Sequence, residues 1–176
     1  MLRPRLLRVT GPGTVVSNPI EMVSTRDQRC VTLRRAVQAD NERVAVLLRE
    51  LELPTDGVAE WLDQFWIGEH EGAVVGVAGM ERYGAAGLLR SVAVAPEWRG
   101  SGIGRALVDR VLEEGRAAGV QEVFLLTTTA EHYFPRLGFA CVGRERVPDS
   151  VRTSAEFTGA CPASAVVMRK AVAEES

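Results

Sequence analysis

Hydrophobic and polar positions along the chain switch between two periods, and the switches mark out the elements. Cys30-Val31-Thr32-Leu33-Arg34 alternates and predicts a short strand. Asp40 can cap a helix carrying Val44, Leu47, Leu48 and Leu51 at helical spacing, which Pro54 closes. Val58, Trp61, Leu62, Phe65 and Trp66 predict a second amphipathic helix over 58–67. Residues 73–83 and 88–94 predict strands, the glycines of the first permitting a bulge or close approach. Ile103, Ala106, Leu107, Arg110, Val111, Glu114 and Ala118 share one mostly apolar helix face, and Gly119 fits the C-terminal cap. Residues 122–128 predict a buried strand, 130–136 a short helix and 139–146 a strand. Pro148 opens another short helix, and 166–169 form a last strand.

Such alternation of strands and helices predicts one α/β domain, three layers deep, with helices on both faces of the sheet. Its expected span is 30–171, after a loosely ordered arm over 1–29 and before a short tail over 172–176. The arm holds Pro4, Gly11, Pro12, Gly13 and Pro19 with little periodicity, and Met22 is a second candidate for the initiator. Peptides from upstream of Met22 in protein made by its own host would refute that start.

Composition narrows the function classes. A net charge of −2 over 176 residues offers no broad basic field for nucleic acid or an anionic membrane. No apolar run approaches the roughly 18 residues of a spanning helix. The three cysteines, Cys30, Cys141 and Cys161, lack CxxC spacing and stand in no ligand spacing with His70 or His132. They fit free thiols in a cytoplasmic protein without a metal. Three thiolates also suit trivalent arsenic, but their wide spacing favours small buried hydrophobes.

Candidate chemistry concentrates in one turn. Val92-Ala93-Val94 ends a strand, and Ala95-Pro96-Glu97-Trp98-Arg99-Gly100-Ser101-Gly102-Ile103-Gly104-Arg105 leads into a helix. Glycines let backbone amides approach an anion, the helix start adds partial positive charge, and Arg99 and Arg105 add formal charge. A pyrophosphate is the expected occupant. A Walker loop requires a lysine that this turn lacks, and the dinucleotide fingerprint fails because Arg105 takes its third glycine.

Arg99-x-x-Gly102-x-Gly104, with the flanking strand, Pro96 and the later Leu137-Gly138-Phe139, resembles the pyrophosphate-binding motif of the GNAT N-acetyltransferase superfamily. The resemblance covers about Val31 to Lys170. It implies the GNAT fold, a mixed sheet splayed open beside the turn, with acetyl-CoA as co-substrate and no metal. The pantetheine arm would pair with the backbone of Val92 and Val94, facing Val123 to Thr128. The stretch from Leu125-Leu126-Thr127-Thr128 through Phe134, Gly138-Phe139, Val147-Pro148, Ser164 and Met168 resembles GNAT proteins associated with arsenic-resistance operons. It is also similar, more distantly, to the acetyltransferase domain of N-acetylglutamate synthase. These likenesses imply an amino acid or a small analogue as acceptor. GNAT proteins are often dimers, so a homodimer is the assembly to test.

Departures from the family pattern leave the acid and base open. Phe134 occupies the place of the usual tyrosine acid, and Tyr133 lies one residue earlier. Leu88-Leu89-Arg90-Ser91 carries no carboxylate where many members have a base; Glu81, on the preceding strand, is the nearest. Thr127 stands where the synthase domain has a hydroxyl near the thioester. The catalytic candidates are therefore Thr127, Glu81 and Tyr133. Arg90 reads either as a substrate-carboxylate contact or as an outward-facing charge. Phe134 is a cleft-lining candidate, and Trp61, Phe65 and Trp66 are either pocket wall or core. Two other functions remain open on the sequence: an acyl-CoA-binding sensor or metalloid-responsive regulator, and a protein N-terminal acetyltransferase acting on peptides.

Overall fold

Phe65 and Trp66 decide the middle of the sheet. In the computed structural model, which describes residues 20–25 and 29–173, the helix that opens at Val58 stops after one turn, at Trp61. Phe65–His70 then runs as a strand. This corrects the helix expected over 58–67. Helical spacing of five apolar residues did not distinguish a helix face from an apolar run buried on both sides of a sheet. Phe65, Trp66 and Ile67 are all buried there, as aromatic and β-branched residues favour.

The elements are β1 (Glu21–Ser24), β2 (Cys30–Arg35), α1 (Asn41–Glu50), α2 (Val58–Trp61), β3 (Phe65–His70), β4 (Ala73–Tyr83), β5 (Ala86–Val94), α3 (Ile103–Ala117), β6 (Glu122–Thr127), β7 (Ala140–Cys141), α4 (Asp149–Arg152) and β8 (Val166–Ala171). The eight strands form one mixed sheet in the order β1-β2-β3-β4-β5-β6-β8-β7. Every neighbouring pair is antiparallel except β5 and β6, which run parallel. Helix α3 packs on β3, β4 and β5. Gly76 and Gly115 give it close approach, since a Cβ on Gly76 would stand 2.9 Å from Leu107, and one on Gly115 2.8 Å from the Met80 sulfur. The start of α2 and helix α4 lie on the opposite face, where Gly57 sits against Arg90. Of the described helices, none is long and apolar enough to cross a membrane.

Other expected boundaries shift. Residues 21–24, assigned to the arm, are strand β1 and pair with β2 from Glu21 opposite Leu33 to Ser24 opposite Cys30. Most of the arm and the last three residues lie outside the described residues. The strand expected over 139–146 keeps only Ala140–Cys141, because Arg144–Arg146 winds into a 3₁₀ turn. The short helix expected over 130–136 is a 3₁₀ turn at Phe134–Leu137.

The feature that matters for function is a split in the sheet. Parallel pairing of β5 with β6 lasts only from Ala86 opposite Glu122 to Leu88 opposite Phe124. Beyond Leu88 nothing bridges the two strands. The cause lies on the other side of β5: Val77 opposes Ala93 while Gly79 opposes Arg90, so Ala78 faces the two residues Ser91 and Val92. Ser91 takes a φ of 54°. A bulge of this kind bends its strand, here away from β6.

Candidate functional site

The split opens a cleft of about 760 Å³ between Leu89–Val94 on β5 and Leu125–Thr127 on β6. At its mouth lies the glycine-rich turn. Gly102 caps α3 in the left-handed region, at φ 94°, with no side-chain cap, and the first helical bond there is Ala106 N–H to Gly102 O at 3.1 Å. The amides of Gly104 and Arg105 therefore have no partner within the helix, as the first turn of any helix requires. Nothing would crowd a Cβ on Gly100 or Gly102 within 4 Å, so the concavity is open. Arg99 and Arg105 are exposed beside it. The turn is fixed from behind: Trp98 is buried, with the ring of His70 4.7 Å away and the Arg29 guanidinium 3.7 Å above it. Ser101 Oγ donates to Trp98 O at 2.5 Å.

Along β5 the backbone groups alternate in direction. Ala95 N–H donates to Val75 O at 2.9 Å, toward β4. The amides of Val94 and Val92 accordingly point the other way, into the cleft, where β6 no longer takes them. Ala93 is buried on the β4 side of the bulge. Of the residues singled out from Val92 to Arg105, all but Ser101 and Ile103 lie along one wall and its mouth; those two are buried, Ile103 within the core.

The closed end of the cleft holds a buried charge cluster. Arg90 Nη1 forms a close ion pair with Glu81 Oε1, its Nη2 donates to Asp56 O at 2.5 Å, and its Nε lies 3.4 Å from Ser91 Oγ. Tyr83 donates to the other Glu81 oxygen at 2.5 Å. Arg90 is neither an outward-facing charge nor an uncommitted fork; its side chain is fully buried. Glu81 lies behind Arg90 and is absent from the cleft lining. A second carboxylate, Glu156, does line the cleft, with Oε1 3.5 Å from Arg90 Nε. Burial pushes its carboxyl up to about 7, against the pull of Arg90 and with a further push from Glu81. Burial also raises Cys161 to about 11, so the thiol on this wall stays protonated near neutrality.

The remaining candidates are spread along the cleft. Thr127 Oγ1 accepts from Ala130 N–H at 2.9 Å, which leaves its own hydrogen available to a partner in the cleft. The Tyr133 hydroxyl stands against the start of α3, 3.1 Å from where a Gly104 Cβ would lie. Burial raises its pKa. Phe134 is buried, edge-on to Tyr133 and Phe139. Phe65 and Trp66 belong to the core, and Trp61 packs on Tyr83. The three cysteines are free, and among the described residues no group of three or more His, Cys, Asp or Glu could hold a metal ion.

Glu156 and Tyr83 carry little signal in the sequence that marks them as site residues. Glu156 belongs to no motif; the one hint is a lone carboxylate in a stretch of small and apolar residues, Thr158 to Ala165, following it. An arginine in the middle of an apolar strand demanded a partner, and that demand was the usable signal for both glutamates.

Residues 61–141 match the model of the acetyltransferase (GNAT) domain. The amino-acid acetyltransferase of Pseudomonas putida (strain GB-1) is 32% identical over 135 residues, which are 76% of this chain and 27% of that protein. That of Neisseria meningitidis serogroup A is 25% identical over 138 residues, 73% of this chain and 32% of its own. The chain thus spans under a third of the length of these curated relatives. Among solved structures, N-acetylglutamate synthase from Neisseria gonorrhoeae complexed with coenzyme A and N-acetyl-glutamate has a TM-score of 0.72 at 23% identity, over 82% of this chain and 35% of that one. Rv2747 from Mycobacterium tuberculosis, in complex with CoA and NLQ, has a TM-score of 0.67 at 29% identity, over 79% of this chain and 98% of that one.

Proposed function

The chain carries an acetyltransferase (GNAT) domain on the fold of that family, and from this premise we propose that it transfers an acetyl group from acetyl-CoA to the primary amine of a small amino-acid-like substrate. One observation carries the proposal. The β5–β6 cleft runs without a break from an uncapped helix start, suited to phosphates, to a buried charge cluster suited to an amino acid. The names of the relatives add the acceptor class, since amino-acid acetyltransferases recur among them.

In this account the amides of Gly104 and Arg105, with Arg99 and Arg105, hold the pyrophosphate. The Val92 and Val94 amides pair with the pantetheine arm, and a strand amide polarises the thioester carbonyl. Direct attack by the amine within a ternary complex then requires mainly positioning and a fixed set of dipoles. The Thr127 hydroxyl is the donor on the side of the departing thiolate. Tyr133, with its hydroxyl at Gly104, suits the phosphate end better than the sulfur. Arg90 frames the acceptor end, and Phe134 supports the wall from the core. Glu81 acts through Arg90, because it does not reach the cleft.

A thiol-release assay tests the proposal. The probes are acetyl-CoA with the standard amino acids, phosphorus- and arsenic-containing amino-acid analogues, polyamines and short peptides. Turnover confined to amino-acid-like amines is the expected result. Tight acetyl-CoA binding with no turnover on any amine would replace the enzyme with a sensor, and a preference for peptides would replace it with a protein N-terminal acetyltransferase.

A further inference from the structure

The charge count at the closed end of the cleft does not balance. Two buried carboxylates, Glu81 and Glu156, face a single guanidinium, that of Arg90. Glu81 takes the close contact with Arg90 and a hydrogen bond from Tyr83. Glu156 is left with Arg90 Nε at 3.5 Å, longer than a charge-assisted hydrogen bond. Arg90 spends its other nitrogens on Glu81 and Asp56 O. The cluster therefore lacks one positive charge, and Glu156 is the member that lines the cleft. Burying an ion without a partner is costly, so this end of the cleft favours either a proton on Glu156 or a cation beside it. Glu156 opens a turn kinked at Gly159 and closed by Cys161 N–H donating to Glu156 O at 3.1 Å. The loop that follows is tied down by Arg144, whose Nη2 donates to the carbonyls of Ala163 and Ala165 at 3.1 and 3.2 Å.

We infer that Glu156 binds the ammonium group of the acceptor and removes its proton before attack. The inference rests on the acyl-transfer function proposed above. Proton transfer from R–NH₃⁺ to the Glu156 carboxylate leaves a neutral amine and a neutral acid. The nitrogen lone pair then adds to the thioester carbonyl carbon. As the adduct collapses the C–S bond breaks, and the second proton shed by nitrogen goes to the thiolate. Glu156 returns its proton to solvent once the amide leaves. Arg90, fixed between the two glutamates, is a positioning residue in this step and is not the fork for a substrate carboxylate.

The titration of the group agrees with this task. Glu156 is faced by Arg90 on β5, by Glu81 and Tyr83 on β4 and by Cys161 on its own segment. Their balance with burial puts the carboxyl at about 7, where a general base works best near neutral pH.

The test is kcat/KM against pH for the wild-type protein and for Glu156→Gln, using the fastest amine of the thiol-release panel, with acetyl-CoA affinity measured beside it. The wild-type rate should rise with pH through about 7. Glu156→Gln should lose roughly 10²–10⁴-fold in kcat/KM at pH 7, keep its acetyl-CoA affinity and regain rate steadily as the amine itself deprotonates. Glu156→Ala, measured the same way, stands in should the glutamine variant not fold. A rate within threefold of wild type with the same pH profile overturns the role of Glu156 and leaves acyl transfer standing. Wild-type protein that turns over no amine overturns both.

Discussion

Replacing Glu156 with glutamine should make the protein more stable above pH 7 while making it a poorer catalyst. The magnitude follows from the burial of the carboxyl. In the unfolded chain it titrates near 4.5, and in the folded protein it is pushed up to about 7. One tenfold step in proton affinity corresponds to about 1.4 kcal/mol, so the displacement is worth about 3 kcal/mol. Between these two values the folded protein holds a proton that the unfolded chain has lost. Stability therefore falls as pH rises through that window and levels off above about 7. Asp40 and Glu69, both held down mainly by Arg34, act at the acid end of this range, in the opposite sense and equally in both proteins. Urea denaturation at pH 5 and pH 8 reads the effect. Wild type should be less stable at pH 8 by about 2–3 kcal/mol, and Glu156→Gln should lose most of that difference. The same slope in both proteins would show that Glu156 is charged in the fold at all these pH values, and would remove the electrostatic premise for its proton-accepting role.

Three substitutions probe other parts of the account. Gly79→Ala would place a Cβ 2.3 Å from the Phe65 ring; overpacking of this kind costs about 1–3 kcal/mol, seen as a lower urea midpoint, and an unchanged midpoint would contradict the packing. Tyr133→Phe should leave kcat within about fivefold, because its hydroxyl stands at Gly104, whereas loss in the roughly 10²-fold range of a general acid would place it at the sulfur. Thr127→Val should lower kcat about 10-fold or more with acetyl-CoA affinity retained, as expected of a donor to the departing thiolate; an unchanged kcat would take it out of the chemistry.

Much of the cofactor end was legible in the sequence, and little of the acceptor end. Gly102 and Gly104, with Arg99 and Arg105, announced an anion site because a glycine turn at a helix start has local chemistry that needs no tertiary information. The bend in β5 could be expected only from the family likeness, since the bulge at Ser91 arises from pairing with Ala78 on another strand. Phe65 and Trp66 read as helix in the sequence because a run buried on both sheet faces has no period of its own to reveal. Glu156 and Arg90 meet across 66 residues of chain, and neither belongs to a motif. Arg90 in an apolar strand showed that some partner must exist but not which carboxylate it would be.

The central claim is that the turn at the mouth of the cleft holds the phosphates of acetyl-CoA, and isothermal titration of acetyl-CoA into the wild-type protein and Gly102→Val tests it most directly. Gly102 has a φ of 94° with open space where a Cβ would stand. Valine there strains the turn by about 1–2 kcal/mol and fills the concavity. The account predicts one saturable site in the wild type and binding at least 10-fold weaker in the variant, with the far-UV spectrum of the fold intact. Equal affinity in the two proteins, or no binding in either, would contradict it.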